Sequence, residues 1–344
     1  LFIWQEEKYR KLQGTYPVIF MSFASVKADN LQDAKEQIKA QIVSLYEEYR
    51  YLLESGHLSE NEIAYYKKVS MGMTDVQATM ALKLLSEYLY RYYGKKVIII
   101  LDEYDTPMQE AYVNGYWNAF TSFVRNLFNA TFKSNPYMER GMMTGITRVA
   151  KESVFSDLNN LNVITTTSEE YETAFGFTEA EVFTQLDDMG LSEQKDLVKK
   201  WYDGFIFGRE RDIYNPWSIT NFLDKKQIRP YWASTSSNGL VNSLIRRASS
   251  EIKKKMEDLL EDREIVVNFD EEIIFDQLDQ NENAIWSLLL ASGYLRVEQV
   301  EYRGEMLEPW YHLRLTNLET KSMFVNMFRN WFAGNGNYNP FILA

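Results

Sequence analysis

The chain has 344 residues, enough for two or three domains and a sizeable core. Its composition is that of an ordinary globular protein, and a formal charge of −12 is the wrong field for gripping nucleic acid by its phosphates. The absence of cysteine excludes disulfides, thiolate metal sites and a cysteine nucleophile, and two distant histidines, His57 and His312, leave neither a zinc site nor a Ser-His-Asp triad.

The strand and helix signals run in chain order. Pro17-Val18-Ile19-Phe20-Met21-Ser22-Phe23 reads as a first buried strand, and residues 31 to 54 carry apolar positions at helical spacing. Ser59 with Glu62 forms a capping box for a second helix, and Thr74 or Asp75 caps a third, which ends at Gly94. Val97-Ile98-Ile99-Ile100-Leu101 follows, apolar without alternation, as in a parallel strand buried on both faces. Residues 116 to 133 are expected to be helical, and Met142 to Ile146 to be a short strand. This alternation of strands and helices predicts an α/β fold with a three-layer parallel sheet. Past residue 168 helices cluster, at about 178–188, 192–202, 216–224 and 238–261, with Thr178 and Glu181 as a further capping box. A helix near 283–292, a hairpin around Gly304 and a helix at about 317–332 suggest a small winged-helix-like module. Three parts are therefore expected: an α/β core over 1–168, a mostly helical, lid-like domain over 169–262, and a small α+β module over 263–344.

Chemistry concentrates where the apolar run 97–101 meets Asp102-Glu103-Tyr104-Asp105. In open α/β sheets, ligands sit at the carboxyl ends of strands. Two adjacent acids there have the form of a Walker B element: Asp102 would hold magnesium, and Glu103 would polarise the water that attacks a γ-phosphate. The same pattern also fits a buried strand running into a solvated acidic turn. Asp105, two residues on, would share a side with Glu103 on an extended backbone, as an auxiliary acid of the nucleotide site or as a turn residue before Pro107. About 40 residues later comes Thr144-Gly145-Ile146-Thr147-Arg148. In a P-loop ATPase sheet the strand beside Walker B ends in a polar residue that senses the γ-phosphate, and an arginine there neutralises developing charge. A strand end with a solvated arginine is the alternative. The Trp201-Tyr202-Asp203-Gly204-Phe205 and Tyr214-Asn215-Pro216-Trp217-Ser218 runs read as a tightly packed corner with Asn215 as a helix cap, and Tyr231-Trp232 followed by Ser234 to Asn238 as an aromatic anchor and another cap. Arg246-Arg247 with Lys253-Lys254-Lys255 reads as a solvated helix face. The G-x-x-x-x-G-K-[ST] loop that cradles phosphates does not occur.

The blocks VIIILDEYDTPMQEAYVNGYW, TGITRVAKESVFSDLNNL, FGFTEAEV, WYDGFIFG, IYNPWSI, YWASTSSN and IWSLLLASGYL resemble the bacterial predicted AAA-ATPase-like proteins, P-loop ATPases of the broader STAND type. The resemblance runs from about Pro17 to the final helix. It implies ATP and Mg2+ as cofactors, with Asp102 on the metal and in the nucleotide site, Glu103 in catalysis, and a sensor and catalytic role for Thr147 and Arg148; the residue pattern itself adds Asp105 and Thr144 as nucleotide-site candidates. The resemblance also implies a Walker A segment, of the form RPRRFGKT, before Leu1 and, in many members, a C-terminal PD-(D/E)XK nuclease-like domain beginning where Asn339 to Ala344 breaks off. The start at Leu1 and the apolar end fit a piece of a longer polypeptide, expected to bind ATP weakly or undetectably by itself. The readings that stand are the ATPase core, and a non-hydrolysing nucleotide switch or scaffold for an attached nuclease-like effector. A nuclease within this segment ranks below both, because Glu6-Glu7-Lys8 and Glu251-Ile252-Lys253, the E-x-K candidates, fall in helix-like sequence. Nucleic acid would be met only indirectly. No apolar run reaches the roughly 18 residues of a membrane span, and no signal peptide is visible, which fits a cytoplasmic protein without a membrane partner.

Overall fold

The computed structural model describes residues 2–133, 135–146, 158, 161–233, 239–271, 278 and 281–333. The fold is mixed α/β and divides into two compact units, one built on residues up to 161 and one on residues from 162.

The first unit runs α1 (Glu7–Arg10), β1 (Val18–Ser22), α2 (Leu31–Glu48), α3 (Glu60–Tyr66), α4 (Asp75–Tyr93), β2 (Val97–Asp102), α5 (Thr106–Val113), α6 (Trp117–Phe128) and β3 (Met138–Met143). Both expected capping devices are present: Ser59 and Glu62 close a box on α3, and Thr74, rather than Asp75, closes one on α4 with Gln77. Gly94 ends α4 in the left-handed region at φ +63°. The helix expected over 31–54 stops at Glu48 and continues as a 3-10 turn over Arg50–Glu54. The strand expected at 142–146 lies earlier, at Met138–Met143, so Thr144 and Gly145 follow its end.

The three strands form a parallel sheet in the order β1-β2-β3, which puts β2 in the middle. Pairing aligns Val18, Ile98 and Arg140 in one row and Phe20, Ile100 and Met142 in the next. The alternate residues Ile19, Met21, Val97, Ile99 and Leu101 are all at most 4% exposed, on the face where α2 and α4 pack against β1 and β2. The opposite face differs from the sequence expectation. A strand buried on both sides was expected, yet Phe20 is 56% and Met142 51% exposed, and Ile98 and Ile100 are only half-buried. Parallel sheets ordinarily carry cover on both faces. The unbroken apolar run is therefore real, but among the described residues one of its two faces is only partly covered.

The second unit runs β4 (Phe177–Thr178), α7 (Glu179–Asp188), α8 (Lys195–Tyr202), β5 (Asp203–Phe207), β6 (Glu210–Tyr214), α9 (Pro216–Lys225), α10 (Gly239–Arg247), α11 (Ser250–Leu260), β7 (Ile265–Val267), α12 (Ala284–Ala291), β8 (Leu295–Arg303), β9 (Glu308–Leu315) and α13 (Leu318–Ala333). Thr178 and Glu181 make the expected capping box on α7. The mostly helical reading of 169–262 missed a three-stranded antiparallel sheet, β4-β6-β5, whose central hairpin contains the aromatic, glycine-rich corner. The helix expected over 238–261 is two helices, the second capped by Ser249, and Ser192 opens only a 3-10 turn ahead of α8. Val182, Leu186, Val198, Tyr202, Tyr214, Ile219 and Phe222 form one core under this sheet. A second antiparallel sheet, β7-β9-β8, holds the hairpin expected around Gly304.

Candidate functional site

Asp102 is the last residue of the central strand, and its neighbours on both sides are hydroxyl residues. Pairing sets Ser22 of β1 beside it, and Thr144 follows the end of β3 on the other side. The Ser22 hydroxyl donates to Asp102 Oδ2 at 3.2 Å, and the Thr144 hydroxyl donates to Asp102 Oδ1 at 2.5 Å. Residues 18, 20 and 22 alternate onto one face of a strand, so this polar row crowns the partly exposed apolar face. The backbone around the carboxylate is fixed independently. Phe23 N–H donates to Asp102 C=O at 2.8 Å, Thr144 N–H to Leu101 C=O at 2.9 Å, and Tyr104 N–H to Thr144 C=O at 3.1 Å.

Glu103 adopts φ +49°, a left-handed conformation uncommon for a residue with a side chain. Its carboxylate is exposed and accepts from the Thr106 hydroxyl at 3.1 Å. That backbone reversal, followed by the helical φ and ψ of Asp105, removes the extended geometry on which a shared side for Glu103 and Asp105 depended. Asp105 is 1% exposed at the N-cap position of α5, where Gln109 Nε2 donates to its carboxylate at 3.2 Å. A Cβ at Gly145 would come within 2.5 Å of Asp105 Oδ1, so the segment after β3 lies directly against this acid. Of the site residues read from sequence, the structure thus joins Asp102 to Thr144 and sets Glu103 and Asp105 in the turn that follows. Thr147 and Arg148 lie outside the described residues. Ser22 was missed; its signal was parity, a hydroxyl at the even end of an apolar strand. No group of three or more His, Asp or Glu side chains placed for a metal ion occurs among the described residues.

The aromatic motifs of the second unit serve packing. Asn215 Oδ1 accepts from the N–H groups of Trp217 and Ser218, which caps α9 as expected. Ser218 Oγ then donates at 2.7 Å to Glu319, a carboxylate with no exposed surface that also accepts from Trp232 N–H at 2.7 Å and Ala233 N–H at 3.4 Å. The Tyr202 hydroxyl, in the core, donates to Arg229 C=O at 2.8 Å. Trp217 itself is 55% exposed, so packing does not account for it. The cap expected over 234–238 lies outside the described residues.

Asp203 opens β5 with its Oδ1 buried and meeting no donor. Burial, and then the Asp212 carboxylate across the hairpin, push it up to about 7, against the pull of Lys199, which lies 3.6 Å from Asp212. A folded-state value raised above the ordinary 3.8 contributes stability that is complete below about 3.8 and lost as pH climbs through about 7. Asp203→Asn should therefore flatten the decline in melting temperature between pH 5 and pH 8. Parallel curves for the two proteins would show that Asp203 carries no such linkage.

Comparison with known proteins adds two findings. Residues 1–155 match the model of a family described as predicted AAA-ATPase. The chain is 28% identical, over 232 residues, to an uncharacterized protein in the 5′ region of vnfD in Azotobacter chroococcum mcd 1; the alignment covers 67% of this chain. The chain spans 42% of the length of that relative. No solved structure matches.

Proposed function

We propose that the first unit supplies the metal-binding, water-activating half of an ATP-hydrolysing site on a P-loop-type sheet. The observation that carries this reading is the Ser22–Asp102–Thr144 row at the carboxyl end of three parallel strands. Hard oxygen donors on a half-buried rim fit a hydrated Mg2+, which keeps most of its waters and needs one or two carboxylates rather than a cage. Asp102 would hold the ion, and the ion, once bound, would draw charge from the phosphate oxygens. Glu103 would accept the proton of the attacking water at its carboxylate, and Thr147 and Arg148 would answer the γ-phosphate. The match over residues 1–155 supports this assignment. The G-x-x-x-x-G-K-[ST] loop that would cradle the phosphates does not occur in this sequence, so the residues assigned here account for the metal and water side of the site alone. The second unit would act as a lid over 169–262, followed by a winged-helix-like module made of α12, the β8–β9 hairpin and α13.

The test is ATP hydrolysis by the full-length protein. Glu103→Gln should cut turnover by at least about 100-fold while leaving nucleotide bound. Asp102→Asn should lose the metal dependence. Unchanged turnover in Glu103→Gln removes Glu103 from the chemistry. One observation favours a second reading, a nucleotide switch without turnover that positions a nuclease-like effector: the Glu103 carboxylate is already engaged by Thr106. The full-length protein would then bind ATP with phosphate release at background.

A further inference from the structure

We infer that Ser22 is a positioning residue for the metal carboxylate: with Thr144 it fixes the plane of Asp102, so that the outward lone pairs of both carboxylate oxygens face one hydrated divalent cation. This inference rests on the reading of Asp102 as the metal ligand. Each Asp102 oxygen accepts one hydroxyl, one from β1 and one from the residue just past the end of β3. A carboxylate oxygen has room for about two hydrogen bonds, so each keeps one site for a metal-bound water. With a single donor the carboxylate could turn about that bond; with donors from both sides it cannot. Such outer partners orient the ligands of a metal, and losing one typically costs about 10–100-fold in metal affinity. Ser22 is dispensable to the fold around it. The main-chain bonds of Phe23, Thr144 and Tyr104 hold the strand ends together, and the other bond to the Ser22 hydroxyl is a long one, 3.4 Å, from Ala24 N–H.

The experiment measures Mn2+ binding, by electron paramagnetic resonance, to the full-length protein saturated with a non-hydrolysable ATP analogue. Ser22→Ala, Ser22→Thr and Asp102→Asn are compared with the wild type. Ser22→Ala should weaken Mn2+ by about tenfold, with an unchanged melting temperature. Ser22→Thr, which restores a hydroxyl on the same carbon, should return to within about twofold of the wild type. Hydrolysis by Ser22→Ala should need more Mg2+ to reach half its maximal rate. Wild-type Mn2+ affinity in Ser22→Ala, with Asp102→Asn impaired, overturns the role of Ser22 alone. Wild-type affinity in Asp102→Asn, or no Mn2+ bound by any form, overturns the metal reading of Asp102 and this inference with it. A drop in melting temperature for Ser22→Ala without any change in Mn2+ affinity assigns Ser22 to structure only and also overturns it.

Discussion

Gly204→Ala is expected to destabilise the second unit severely. Gly204 sits at φ +128°, which side chains rarely tolerate, and a Cβ there would fall 1.9 Å from the Thr316 carbonyl oxygen. That oxygen has little freedom to retreat. Thr316 donates through its N–H to Tyr294 C=O at 3.1 Å and through its hydroxyl to Gly293 C=O at 2.6 Å, while Arg296 Nη1 donates to its carbonyl at 3.2 Å. The next residue, Asn317, donates through its side chain to Tyr202 C=O at 3.2 Å. Relief would have to move β5 away from the end of β9 and break several of these bonds. Backbone strain plus overlap with a fixed carbonyl puts the loss at about 4 kcal/mol or more, a large part of the ~5–15 kcal/mol that holds a typical domain together. Gly304→Ala is the control. Gly304 also has a positive φ, +71°, but nothing lies within 4 Å of its would-be Cβ. Conformational strain alone should cost about 1 kcal/mol there. Urea unfolding of the two variants separates overlap from strain, and equal midpoints would show that the Gly204–Thr316 approach is not a constraint.

The difference between these two glycines also marks what sequence can express. Local signals were legible. The capping boxes at Ser59 and Thr178, a cap at 74 or 75, the Gly94 stop and the hairpin at Gly304 each depend on residues a few positions apart, and each is present. The central position of β2 was legible too, because an unbroken β-branched run has few other uses. Long-range register was not. Ser22 and Asp102 are 80 residues apart and Asp102 and Thr144 42 apart, and no periodicity announces that they share a row. The partly open sheet face was not legible, because an unbroken apolar strand reads the same whether one of its faces is covered or both. The packed corner was legible but its strands were not, since the glycines and aromatics of β5 obscure the alternation of Phe205 and Phe207 with Gly204 and Ile206. Glu319 gave no sign at all: a glutamate in the first turn of a helix usually serves the helix dipole, whereas this one is buried and joins α9 to the 231–233 segment.

Glu319 accordingly carries the second large effect. Glu319→Ala removes the acceptor of three donors in one step: Ser218 Oγ, Trp232 N–H and Ala233 N–H. Buried donors left without partners cost about 1–3 kcal/mol each, and the lost side chain leaves a void besides. The bond from Ala233 is long and the serine hydroxyl can rotate, so the sum should fall near 4 kcal/mol rather than at the upper limit. Glu319→Gln is expected to behave very differently. Its carbonyl oxygen can replace the oxygen that accepts from Trp232, and its amide N–H can donate to Ser218 Oγ, because a hydroxyl accepts as readily as it donates. The charge itself is a burden at this site. Burial pushes the Glu319 carboxyl above its ordinary 4.5, and the bonds from Ser218, Trp232 and Ala233 offset only part of that. With the folded value raised, stability from this group is complete below pH 4.5 and declines as pH rises through the folded value. The glutamine, neutral throughout, does not share that decline. Denaturant midpoints for the second unit should therefore place Glu319→Gln slightly below the wild type at pH 5 and level with it or above at pH 8, with Glu319→Ala far below both at either pH. If glutamine proves as damaging as alanine at pH 8, the carboxylate is needed as an anion, and the balance between its burial and its three donors runs the other way.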